Sequence, residues 1–179
     1  MNGFTLIELL LVAVLFVFLI SGIFLVLDVG EKTWNYDLGI LDLQQYARNA
    51  MDGMVRELRQ ARSNNITITN ITLNSTRIDF KMPYNATNTT VSYFLNGTQI
   101  IREQPTGSNC VSVWDGNRCR ILAQNITVLN FGRSGNVVDV QLRAEKSARG
   151  RWLYYPLKNN PANVTEVRFL KERVRLRNE

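Results

Sequence analysis

The chain has 179 residues, a formal net charge of +6, two cysteines and no histidine. That length holds one modest domain plus a membrane segment. The lack of histidine removes the commonest general base and metal ligand, and two thiols alone cannot complete a zinc site, so no catalytic centre, metal or cofactor is expected.

Leu9 to Leu27 is a run of nineteen residues without a charge, about 28 Å of helix against a hydrocarbon core of ~30 Å. Asp28, Glu31 and Lys32 mark the return to water. A secretory signal would have a shorter apolar core, a basic start and a small-residue cleavage site after it. Bulky Phe24, Leu25, Val26 and Leu27 close this run instead, so the segment reads as a retained anchor. Glu8 is its odd residue: an acid at the edge of an apolar helix is costly unless it reaches the headgroups or finds a partner.

Beyond the span, Ile40, Leu43, Ala47, Met51, Met54, Leu58 and Ala61 recur at steps of three or four. They form one stripe of a helix, off which Asp42, Gln45, Arg48, Asp52, Arg56 and Arg59 fall. This stripe is expected to cover a sheet. Gly30 and Gly39 weaken the join between the two helical parts, so a bend or break is expected between 28 and 40.

After Ser63 the pattern turns to short β-type runs. Residues 66–73 and 77–82 alternate, and Pro83-Tyr84-Asn85 stops the second run. Val91–Leu95 and Thr98–Ile101 flank Asn96-Gly97, which predicts a hairpin with a type I′ turn. Ile126–Phe131 and Val137–Leu142 flank Gly132 to Gly135 and predict a second hairpin, Trp152–Tyr155 a further strand, and Val164–Leu176 mostly strand. One helix followed by hairpins gives an α+β chain: a long amino-terminal helix, transmembrane then amphipathic, packed on an antiparallel β-sheet head. The expected divisions are 1–3, 4–27 (the span), 28–62 (the helical extension) and 63–179 (the head).

Cys110 and Cys119, nine positions apart, are expected to close a disulfide loop on the exported side of a membrane, contributing roughly 2–3 kcal/mol. Eight Asn-x-Ser/Thr triplets start at Asn65, Asn70, Asn74, Asn85, Asn88, Asn96, Asn125 and Asn163, where composition alone would give about two. Glycosylation is one reading; the preferred one is that Asn-x-Thr suits turns and exposed strand faces. Residues 1–62 carry seven acids and five bases, residues 63–179 eight acids and sixteen bases. Arg143, Arg151, Trp152, Arg173 and Arg175 combine basic and aromatic character near the carboxyl end, the composition of a single-strand nucleic-acid surface and equally of a solvated sheet face, which is preferred.

The stretch Gly3-Phe4-Thr5-Leu6-Ile7-Glu8-Leu9-Leu10, set on an apolar run, resembles the prepilin-peptidase site of type IV pilins and type II secretion pseudopilins. The resemblance implies cleavage between Gly3 and Phe4, N-methylation at Phe4, and Glu8 as the acid needed for assembly. Pairing the Glu8 carboxylate of one subunit with the Phe4 amine of its neighbour would remove two desolvation penalties at once. The preceding Met1-Asn2-Gly3 lacks the lysine or arginine usual in this family. The β-rich head and the stretch Tyr46–Ala61 look most like the J-type minor pseudopilins and W-type minor pilins. The family implies a structural subunit that helps to initiate or cap a filament. Its expected setting is the inner membrane, single-pass, with a cytoplasmic amino terminus and an extracytoplasmic head. Its expected partners are membrane lipid, prepilin peptidase, the inner-membrane assembly platform and other pilins or pseudopilins met through the first helix. A DNA-binding minor pilin for DNA uptake is the alternative.

Overall fold

The computed structural model describes residues 5–72, 75–84, 87–105, 110, 118–148, 151–156 and 168–177. Gly3 and Phe4 lie outside them. The chain divides into two compact units, Met1–Leu38 and Gly39–Glu179. The first consists of helix: α1 spans Leu6–Leu58 and contributes its opening part here. Every described side chain from Thr5 to Leu38 is exposed, large apolar ones among them, with Leu6 at 84%, Phe18 at 73% and Val26 at 72%. One long apolar helix near the amino terminus is compatible with a single-pass membrane protein.

The expected break between 28 and 40 is not there, because α1 runs through Gly30 and Gly39 without interruption. One local ion pair supports the join: Lys32 Nζ meets Asp28 Oδ2, four residues earlier, at 2.5 Å. Two isolated glycines cost about 1 kcal/mol each relative to alanine, too little to interrupt a helix supported on both sides.

In the second unit the remainder of α1 lies on a nine-stranded sheet. The strands are β1 (Ile66–Thr72), β2 (Ser75–Tyr84), β3 (Thr87–Asn96), β4 (Gln99–Glu103), β5 (Cys119–Ala123), β6 (Ile126–Ser134), β7 (Val137–Ala148), β8 (Arg151–Tyr155) and β9 (Leu170–Arg175). Their order is β5-β4-β3-β2-β6-β7-β8, with β1 paired to β2 and β9 paired to β7. Strands β8 and β9 pair with different stretches of β7, residues 144–148 and 137–142. Pairing is antiparallel except where Ser75 of β2 meets Leu129 of β6 in parallel.

Alternation decides which side chains face the helix. Ile78 and Phe80 of β2, Val91 and Tyr93 of β3, Leu129 and Phe131 of β6, and Val138, Val140 and Leu142 of β7 meet Leu43, Ala47, Met51, Met54 and Leu58 in one buried core. The predicted stripe is the one that packs, with Ile40 half-buried against the same core, and the residues assigned to its other side are exposed. Gly39 sits where a Cβ would lie 2.5 Å from Leu153 Cδ1, so the missing side chain admits the β8 leucine.

Both predicted hairpins form, with one change of turn. Asn96 is a paired strand residue opposite Gln99, and the loop is Gly97-Thr98. Gly97 has φ of +60° while Asn96 and Thr98 do not have positive φ, the signature of a type II′ turn rather than type I′. The β6–β7 loop Gly135-Asn136 places Gly135, φ +59°, in the same position.

Candidate functional site

The first candidate is the start of α1. The Thr5 N–H and hydroxyl both donate to Glu8 Oε2, at 2.9 and 3.0 Å, and the Glu8 N–H donates back to Thr5 Oγ1 at 3.4 Å. This is a capping box: an N-cap threonine and a glutamate three residues later satisfy each other's orphan donors. The pattern Thr5-Leu6-Ile7-Glu8 is legible in the sequence as S/T-x-x-E, although the apolar setting drew attention to Glu8 alone. The contact keeps the carboxylate at the tip of the helix, where the unpaired amides favour negative charge. Glu8 is exposed.

The second candidate is the face of the sheet turned away from the helix. At the β6–β9 end, alternation places Asp139, Gln141, Arg143 and Glu145 of β7 on this face, with Trp152 and Tyr154 of β8 and Arg173 and Arg175 of β9. Four of the five residues singled out for nucleic acid are thus brought to one face, while the side chain of Arg151 lies outside the description. Their charges are largely spent within the head. Arg143 Nε meets Glu145 Oε1 at 2.6 Å and its guanidinium lies 5.3 Å over the Tyr154 ring, and Arg173 Nε meets Asp139 Oδ1 at 2.9 Å. The hydrogen bond to Asp139 holds the Arg173 pKa above its ordinary value. Trp152 is 60% exposed and Arg175 is exposed.

At the other end of this face lies a polar cluster that no local sequence pattern announces. Arg77 binds Asp79 through Nε at 2.8 Å, and through Nη2 binds Ser92 at 2.9 Å and Glu103 Oε2 at 2.6 Å. The Ser92 hydroxyl also donates to Asp79. Burial pulls the Arg77 pKa down, but the bonds to Asp79 and Glu103 more than offset this and leave it raised. Glu103 is only 2% exposed, and that guanidinium is its ion-pair partner. Glu103 also accepts the Cys110 N–H at 3.5 Å, and the Cys110–Cys119 disulfide packs with Phe94 and Ile101 as a small apolar cluster on the same face. The predicted disulfide is therefore present and held against the sheet. Arg77 and Asp79 belong to an alternating run whose polar side reads as solvated, and the pairing of β2 with β3 and of β3 with β4 brings Ser92 and Glu103 to it.

A third polar contact ties helix to sheet: Glu57 accepts from the Tyr93 hydroxyl at 2.5 Å and from Arg102 Nε at 3.0 Å. Burial, then the Glu57 carboxylate, push the Tyr93 phenol well above its ordinary pKa. Among the described residues, no group of three or more cysteines, aspartates or glutamates is arranged to hold a metal.

No family model matches the chain, and neither a curated protein nor a solved structure matches it. What stands is a long apolar amino-terminal helix followed by a β-sheet domain, an arrangement compatible with a pilin-like fold.

Proposed function

We propose that the chain is a minor pilin or pseudopilin, a structural subunit processed between Gly3 and Phe4, methylated at Phe4, and held in the inner membrane before it helps to initiate or cap a filament. The observation that carries this reading is Glu8: one acid at the tip of a helix whose apolar side chains are exposed through Leu27, followed by a β-rich head. An exposed apolar helix needs a lipid or protein environment, and a carboxylate there that does not reach the headgroups needs a partner. The amine created at Phe4 of a neighbouring subunit is that partner. The capping box supports the geometry by holding the carboxylate at the end of the helix. The nucleic-acid alternative is less favoured, since Arg143 and Arg173 are each already paired with a carboxylate.

Two substitutions separate pairing from capping. Glutamine at this position can still accept from Thr5 but carries no charge. Glu8→Gln and Glu8→Ala are both expected to abolish cross-linking to other subunits in membranes while leaving membrane insertion intact. Normal cross-linking by Glu8→Gln would leave Glu8 a helix cap and end the pairing model.

A further inference from the structure

The eight Asn-x-Thr triplets are not spread over the chain: all lie after residue 63, and all eight carry threonine although the chain also has eight serines. The head's own composition predicts about two or three Asn-x-Ser/Thr triplets. Among the described residues, the turn explanation accounts for Asn125, which has φ of +61°, and for Asn65, which ends the short 3-10 turn Ser63–Asn65. Asn70, Asn88 and Asn96 are paired strand residues, opposite Thr76, Pro83 and Gln99. Asparagine is depleted in strands, so local conformation gives no reason for these three.

Burial then sorts the triplets. Asn70 and Thr72 are both exposed, and they border an open cleft with Ile71, Thr76 and Asn130. Asn65 and Asn96 are half-buried and their partners Thr67 and Thr98 are exposed. By contrast, Thr76 of the Asn74 triplet is 8% exposed and accepts the Phe131 N–H at 2.6 Å. The Thr127 hydroxyl of the Asn125 triplet is buried. An N-glycosyl transferase must reach the asparagine amide and the hydroxyl two residues on together, so among the described residues the folded head offers three acceptors and closes two.

We infer that the head is N-glycosylated at Asn65, Asn70 and Asn96. The donor class is a saccharide joined through its anomeric carbon to a lipid phosphate. The Asn Nδ2 attacks that carbon, a C–N bond forms, the C–O bond to phosphate breaks, the lipid phosphate leaves with the electron pair, and the amide proton passes to a base. Asn65 lies immediately before β1 and Asn70 near its end, and β1 is paired to β2, so sugars there would hinder strand addition along it.

The inference rests on the head being exported. Peptide mass spectrometry of the full chain purified from its source cells is expected to show saccharide mass on Asn65, Asn70 and Asn96. Thr72→Ala should remove it from Asn70 alone, and Thr72→Ser should retain it. Unmodified asparagine at all three positions, or sugar confined to Asn74 and Asn125, overturns the inference. Protease added to spheroplasts, whose outer membrane is opened while the inner membrane stays sealed, separates the two readings: digestion of an unmodified head leaves export standing and the glycosylation claim overturned, whereas protection of the head removes both.

Discussion

The two parts of α1 are one helix in two solvents. Before Leu38 the apolar side chains are exposed, and Leu15 at 54% is typical; after Gly39 they form a stripe, and Leu58 is fully buried. Helical geometry is the same in both, so what differs is the location of the apolar partner. The second part finds it in the chain's own sheet, and the first must find it outside the chain. A hydrophobic pattern therefore reports not only a secondary structure but whether the protein can complete its own core.

The largest test of this contrast is a matched pair of truncations. Leu58→Ala should cost the head about 2–5 kcal/mol in chemical denaturation, as buried leucines do. Leu15→Ala, on the same helix, should leave that value unchanged. A comparable loss from both would mean that the first part also packs on the head.

The Glu57 tie gives a smaller effect with a pH signature. Glu57→Gln should cost about 1–3 kcal/mol, because Arg102 loses its carboxylate. Tyr93, with its folded pKa raised, contributes stability that is fully present below the unfolded tyrosine value of about 10 and declines as pH rises above it. The unfolded phenol ionises there and the folded one does not, so the denaturation midpoint should fall above that pH. Tyr93→Phe should flatten this alkaline decline; an unchanged slope would remove Tyr93 as its source.

The glycines supply the smallest test and the sharpest, since opposite signs are expected. At Gly30 an added Cβ meets nothing within 4 Å, so Gly30→Ala should stabilise the helix by about 0.5–1 kcal/mol, seen as slower amide exchange around it. At Gly39 it meets the buried Leu153, and the crowding should outweigh the helical gain, leaving a net loss of about 1 kcal/mol by denaturation.

Much of this was legible in one dimension. The apolar run, the stripe from Ile40 to Ala61, the alternating strands and the hairpin positions rest on local periodicity, which steric and hydrophobic patterning impose residue by residue. The Gly97 turn shows the limit even there. Asn-Gly announced a hairpin, but the pairing of Asn96 with Gln99 shifted the loop by one residue, because register follows the packing of both strands.

By itself the sequence determined the apolar span, the helix stripe, the β-rich head and the proximity of the two cysteines, because each follows from the chemistry of near neighbours. Only the tertiary structure decided that β6 lies beside β2, that β8 and β9 share β7, that Arg77 meets Glu103 under the disulfide, and which Asn-x-Thr hydroxyls remain open. Those contacts join residues far apart along the chain. Their partners are selected by how the whole sheet folds over the helix, information that no short window of sequence contains.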